Sequence, residues 1–234
     1  MLEPYFEADG QTIYLGDCRD ILPHLPSSSV DIIITDPPYG LDYQSHWPVE
    51  KKPRIINDNQ SSLNSLIDDI MPEFIRILKE NSEVYWFSRG GGEKSIIATT
   101  WLKFEEFKPV IKVKNLLIWD KEYVGLGWDW RYQYETIFQL VKGKGIKNLD
   151  PCASNVIKAR KIIPQADDHP TPKSVDIIYE ILKRKQGDVV LDPFLGSGAT
   201  LVACRMLHRR GIGIEIEKKY CDMASGKFLQ RTLF

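Results

Sequence analysis

Six residues, Val30-Asp31-Ile32-Ile33-Ile34-Thr35, form a nearly continuous apolar run that stops at Asp36-Pro37-Pro38-Tyr39-Gly40. A run this short and this rich in β-branched residues reads as a strand buried on both faces. Prolines cannot continue a central strand, because each lacks a backbone N–H and has a fixed φ. The strand must therefore end at a carboxylate and present an aromatic ring just beyond it. Taken alone, the tetrapeptide also fits a strand-terminating turn that happens to hold Asp and Tyr.

The flanking sequence repeats the pattern. Residues 11–15 are strand-like and end at Gly16-Asp17-Cys18, and residues 19–25 read as a short helix before the apolar run. Two strands with a helical link predict a parallel pair, whose ligands lie beyond the carboxyl ends where Asp17 and Asp36 fall. Residues 41–59 are polar and without period, a loop over that end. Residues 63–78 carry apolar side chains at helical spacing, and residues 84–88 are the next buried strand. Residues 89–92 read as a turn, because the glycine run lacks the G-K-[ST] of a phosphate loop. Residues 95–102 predict a helix, and residues 110–120 and 134–141 predict paired strands on either side of an aromatic segment. Thr171 is placed as a helix N-cap, with Pro172 at the first helical position.

With 234 residues, 43% of them hydrophobic, the chain is long enough for one well-buried domain. Its net charge of −1 does not by itself suggest a polyanion partner, so any nucleic acid would have to meet a local basic face. One stretch supplies such a face. Residues 142–165 hold Lys142, Lys144, Lys147, Lys158, Arg160 and Lys161 against the single acid Asp150, and read as a short surface insertion, a DNA-contacting segment in preference to a merely solvated charged loop. The four cysteines form no C-x-x-C pair and read as free thiols, and no metal site is expected. The chain shows no signal-like opening and no apolar run of membrane-spanning length, which predicts a cytoplasmic protein.

A second constellation closes the chain. Val189-Val190-Leu191-Asp192-Pro193-Phe194-Leu195-Gly196-Ser197-Gly198 runs from strand into glycine turn and helix, and residues 211–216 form a further strand carrying Glu215 near its end. Such a turn lets backbone approach a nucleotide-like ligand, and an acid ending the next strand can hold ribose hydroxyls. The turn lacks the third glycine of a dinucleotide fingerprint and the lysine of a phosphate loop.

At this point the sequence resembles the S-adenosylmethionine-dependent DNA amino-methyltransferases. Asp36-Pro37-Pro38-Tyr39 matches their catalytic motif, and Asp192-Pro193-Phe194-Leu195-Gly196-Ser197-Gly198 matches their cofactor motif. His169-Pro170-Thr171-Pro172-Lys173 is similar to the segment that precedes the cofactor strand. The catalytic motif comes first, which is the permuted order of the family's beta group. The resemblance implies a single α/β domain over residues 1–234, a circularly permuted class I methyltransferase. Its Rossmann-like sheet would be mostly parallel and seven-stranded with one antiparallel strand, and helices would cover both faces.

The resemblance also implies residue roles. Glu215 would bind the cofactor ribose, while Asp17 and Cys18 would meet its adenine, although Asp17 could equally cap the helix that follows it. Asp192, Phe194 and Gly196 would line the methionine half, with Thr171 and Lys173 near its carboxylate, and Asp36, Pro193, Ser197 and Gly198 would also meet the cofactor. An exocyclic amine is a poor nucleophile because its lone pair is delocalised into the ring. Asp36 and the Pro37 carbonyl would accept its hydrogen bonds, Pro38 would stiffen the exit, and Tyr39 would stack on the flipped base. The aspartate at the head of the tetrapeptide favours N6 of adenine over N4 of cytosine. A cofactor-binding regulator without catalysis is the reading from another class. Double-stranded DNA is the expected partner, and a homodimer and a cognate restriction endonuclease are left open.

Overall fold

The computed structural model describes residues 2–37, 60–89, 96–124, 130–160 and 173–229. Pro38, Tyr39, Lys161 and Thr171 lie outside the described residues, as do the loop expected at 41–59 and the turn at 90–92. Nine strands are described: β1 (Phe6–Ala8), β2 (Gln11–Leu15), β3 (Val30–Thr35), β4 (Leu78–Arg89), β5 (Ile111–Asp120), β6 (Tyr134–Lys142), β7 (Val156–Lys158), β8 (Val189–Asp192) and β9 (Arg210–Glu215). They form one sheet in the order β1-β2-β9-β8-β3-β4-β6-β5-β7. From β2 to β4 every pairing is parallel, and β6 runs antiparallel to both of its neighbours. The expected seven strands are thus β2 to β5 in sheet order. The three-residue strands β1 and β7 add one more at each edge.

The described helices are α1 (Cys18–Ile21), α2 (Gln60–Ile77), α3 (Ile96–Glu105), α4 (Val175–Leu182), α5 (Ala199–Met206) and α6 (Lys218–Leu229), with a 3-10 turn over Leu22–His24. None of the described helices is long and apolar enough to cross a membrane. The alternation of side chains along β4 explains why helices must cover both faces. Val84 and Trp86 pack with Leu63, Ile67, Phe74 and Phe104 of α2 and α3. Tyr85 and Phe87 pack on the opposite face with Ile177, Ile178 and Ile181 of α4 and Ala203 of α5. Successive strand residues point to opposite faces, so a strand covered twice is apolar throughout.

Two sequence expectations need correction. First, the helix expected to reach residue 78 stops at Ile77, and β4 begins at once with Leu78, well before residue 84. The polar run Lys79–Glu83 hid this from periodicity. Pairing with β3 shifts register between Val30 and Ile32, and Asn81 adopts φ 60. Second, residues 142–165 are not simply a surface insertion. Lys142 ends β6, and Val156–Lys158 joins the sheet beside β5, with Ile157 buried among the residues that cover α4. A single buried isoleucine between exposed neighbours is too short a pattern to read as a strand from sequence.

Because β2, β9, β8 and β3 are parallel neighbours, their carboxyl ends share one edge. Asp17, Glu215, Asp192 and Asp36 stand at or just beyond those four ends. The connections diverge between β8 and β3, which makes that gap the switch point where α/β sheets hold ligands.

Candidate active site

The cofactor-motif turn is organised by two buried acids. At the end of β8, Asp192 accepts the Phe194 backbone N–H at 3.0 Å and the Thr200 hydroxyl, which ties the start of the turn to helix α5. Burial pushes the Asp192 carboxyl up to about 7, and the charges of Asp36 and Glu215 push the same way. At the end of β9, Glu215 accepts the Gly196 N–H at 2.7 Å and the Glu217 N–H at 2.8 Å. Its carboxyl is also raised, chiefly by burial.

The glycines have separate reasons. Gly198 has φ 88 and caps α5, and a Cβ there would lie 2.8 Å from the Ala224 Cβ of α6. At Gly213 a Cβ would meet the Leu195 side chain at 2.6 Å. Small residues therefore let the turn nest between β9 and α6. Pro193, Phe194 and Ser197 follow the chain through this turn. The backbone N–H groups, the glycine approach and the buried Glu215 carboxylate suit a ligand with ribose hydroxyls, so the donor set fits an adenosyl cofactor.

Asp17 takes the capping geometry. It accepts the Arg19 N–H at 2.9 Å and pairs with the Arg19 guanidinium, which holds its carboxyl below the usual range. Cys18 is buried, and burial pushes its thiol up to about 12. That thiol stays protonated and serves packing.

Across the switch point, Asp36 and Pro37 follow β3. The Asp36 carboxylate pairs with the Lys173 ammonium at 3.0 Å, and the same ammonium pairs with Glu135 at 2.9 Å. Glu135 also meets Lys121 at 3.5 Å. The rings of Phe87 and Trp119 lie 5.4 and 5.8 Å from the Lys173 nitrogen. Lys173 enters α4 through Ser174, whose hydroxyl accepts the Asp176 N–H at 3.3 Å. Ser174, not Thr171, is therefore the N-cap of that helix. Lys173, expected near the cofactor's methionine end, sits between two acids, one of them Asp36. Glu135, Lys121, Phe87 and Trp119 were missed in the sequence. The one available signal was an acid near the head of a largely buried strand.

Among the described residues, the basic side chains of 142–160 fall on two edges of the sheet. Strand β5 runs parallel to β4 and ends at Asp120, which pairs in register with Lys158, so Lys158 and Arg160 lie at the same edge as Asp36. Lys142 lies at the opposite edge and donates to the carbonyls of Ile75 at 2.8 Å and Leu78 at 2.7 Å, closing the end of α2. Lys144 follows it there, with its N–H on Asn81 at 3.0 Å. Lys147 precedes Asn148, which bridges to Lys185 at that same edge. Only part of the expected basic face adjoins the site.

The known proteins agree with this geometry. A family model described as "DNA methylase" matches residues 148–226. The type II methyltransferase M2.MboI of Moraxella bovis is 27% identical, over 99% of this chain and 93% of that protein. M2.DpnII of Streptococcus pneumoniae is 28% identical over 96% and 91%. Among solved structures, the PvuII DNA methyltransferase (cytosine-N4-specific) superimposes with a TM-score of 0.81 at 14% identity, covering 99% and 91% of the two chains. The complex of M1.HpyAVI with S-adenosylmethionine superimposes with a TM-score of 0.64 at 25% identity, covering 93% and 99%. Taken with the two motifs and their order along the chain, these likenesses support an S-adenosylmethionine-dependent DNA amino-methyltransferase.

Proposed function

We propose that the protein methylates N6 of adenine at specific sites in double-stranded DNA. Transfer to an exocyclic amine is supported by the placement of Asp36 and Pro37 after β3, beside Asp192 at the end of β8 and the Gly196–Glu215 pair, and the choice of adenine by the aspartate that leads the tetrapeptide. A base amine offered at the Asp36 side would face a cofactor held on the other. When bound, S-adenosylmethionine supplies an electrophilic methyl group on a sulfonium. Glu215 and the turn at Gly196 would hold the adenosyl part, and Asp192 ties the start of that turn to α5.

Asp36 and the Pro37 carbonyl accept hydrogen bonds from the amine, drawing its lone pair out of the ring and aiming it across the gap. Proline holds that carbonyl in place because its φ is fixed. The amine proton leaves toward Asp36 or solvent. A target inside a duplex must leave the base stack to reach this cleft.

Lys158 and Arg160 are proposed to meet the DNA backbone. Tyr123, which follows β5, and Trp130 are exposed, the latter 81%. Exposed rings together with cations suit contact with bases and phosphates. The likeness to type II methyltransferases supports a cognate endonuclease as a further proposal.

Mass analysis of nucleosides from duplex DNA incubated with protein and S-adenosylmethionine tests the reading. N6-methyladenine is the expected product. N4-methylcytosine would keep the chemistry and replace the base. Cofactor binding with no methylated nucleoside on varied DNA would overturn the enzymatic reading in favour of a regulator. In a positive assay, Asp36→Ala should abolish transfer and retain cofactor binding.

A further inference from the structure

We propose that Glu135, backed by Lys121, is a positioning residue that holds Lys173 against Asp36 and so fixes the orientation of the catalytic carboxylate. This rests on the reading of Asp36 as the acceptor of the target amine. Four alternating charges form a row, Lys121, Glu135, Lys173 and Asp36, with spacings of 3.5, 2.9 and 3.0 Å. Lys121, Glu135 and Lys173 are each no more than 15% exposed, and Asp36 is 23% exposed. Two positive and two negative groups compensate one another, so the row can lie in a half-buried wall without a net charge.

The elements that supply the row are stiff. Glu135 lies early in β6, in register with Trp119 of β5 on one side and Arg89 of β4 on the other. Lys173 stands at the entrance of α4, and its ammonium is walled by Phe87 and Trp119. A lysine has a flexible four-carbon stem and three donors, so one carboxylate alone would fix it poorly. Glu135 supplies a second anchor on a sheet strand. Asp36 is the first residue after β3, and its Oδ2 oxygen is held to a cation with a second anchor. Orientation matters here because a misplacement of about 1 Å can cost roughly a hundredfold in rate.

The experiment compares wild type, Glu135→Gln, Lys173→Met and the double variant in the full chain. Transfer rates on DNA, cofactor dissociation constants by calorimetry, and thermal unfolding are recorded for each. Glu135→Gln is expected to lower kcat by about tenfold or more, with cofactor affinity changed by less than about threefold. In the Lys173→Met background, the same change should cost nothing further, because Glu135 acts only through the lysine. A full additive loss, or a Glu135→Gln rate equal to wild type, would overturn the proposal.

A second readout does not need turnover. In wild type the Lys173 ammonium should give a slowly exchanging ¹⁵N–¹H signal, which Glu135→Gln should lose. Its absence in wild type, or its persistence in the variant, would also overturn the proposal. Wild type that shows the ammonium signal and its loss, yet methylates no DNA, would sink the proposed reaction and leave the anchoring intact. If Glu135→Gln fails to fold, Lys121→Gln carries the same test at smaller amplitude.

Discussion

Lys185 and Glu83 form a buried ion pair at 3.1 Å, at the edge of the sheet opposite the catalytic cleft. The Tyr85 hydroxyl donates to Glu83 at 2.6 Å, and the Ile146 N–H donates to it at 3.0 Å. Lys185 also donates to the Ile146 carbonyl at 3.2 Å. One cluster thus fastens β4, the loop after β6 and the end of α4. Removing a single partner leaves a buried charge without compensation. Lys185→Met should cost about 3–5 kcal/mol in urea unfolding, and adding Glu83→Gln should restore a large part of it. The folded fraction should keep its cofactor affinity, since the cluster is far from Asp36.

Asp192 sets a pH dependence. Its folded carboxyl is raised to about 7, above the value of 3.8 taken for a free aspartate. The folded state therefore binds the proton more tightly, and the associated stability is fully present below the unfolded value. It is lost as pH rises through about 7. Glu215 is raised as well and acts in the same direction. Urea unfolding from pH 4 upward should show stability falling towards neutrality, and Asp192→Asn should flatten that slope.

Gly198 tests the turn. Its φ of 88 lies where side chains are strained, and an added Cβ would press on Ala224 at 2.8 Å. Gly198→Ala should cost roughly 1–3 kcal/mol and weaken cofactor binding, because α5 and α6 must separate to admit the methyl group. Calorimetry against S-adenosylmethionine alongside thermal melts checks both effects.

The two ends of the basic stretch should behave differently with DNA. Replacing Lys158 and Arg160 by alanine should weaken DNA binding and lower the slope of log affinity against log salt by up to about 2. Replacing Lys144 and Lys147 should leave that slope unchanged. Fluorescence titrations at several salt concentrations distinguish the pairs, and equal losses from both would place DNA on a different face.

Much of this architecture was legible because β3, β8 and β9 are short apolar runs that end on acids, and their glycine and proline punctuation is local in sequence. The acids at those strand ends could be located without knowing the fold. Glu135 could not, since its significance lies in Lys173, which reaches it from a distant part of the chain. The same limit applied to residues 142–165. Composition marked them as basic, but only the pairing of Lys158 with Asp120 and the capping of α2 by Lys142 assign those charges to opposite edges. The polar start of β4 was hidden because the strand is irregular there, and periodicity reads only regular pairings.

The pairing of β3 with β8 also governs when the site can exist during synthesis. Asp36, the proposed acceptor of the amine, is made well before β8, the strand that pairs beside β3. Until β8 leaves the ribosome, β3 has an open edge in the middle of the future sheet, able to pair with whatever strand reaches it first. A truncated product would hold the amine-binding acid with no platform for the methyl donor. On the proposed reading, methyl transfer is expected only once β8 has been made, and a fragment that stops before it should be inert.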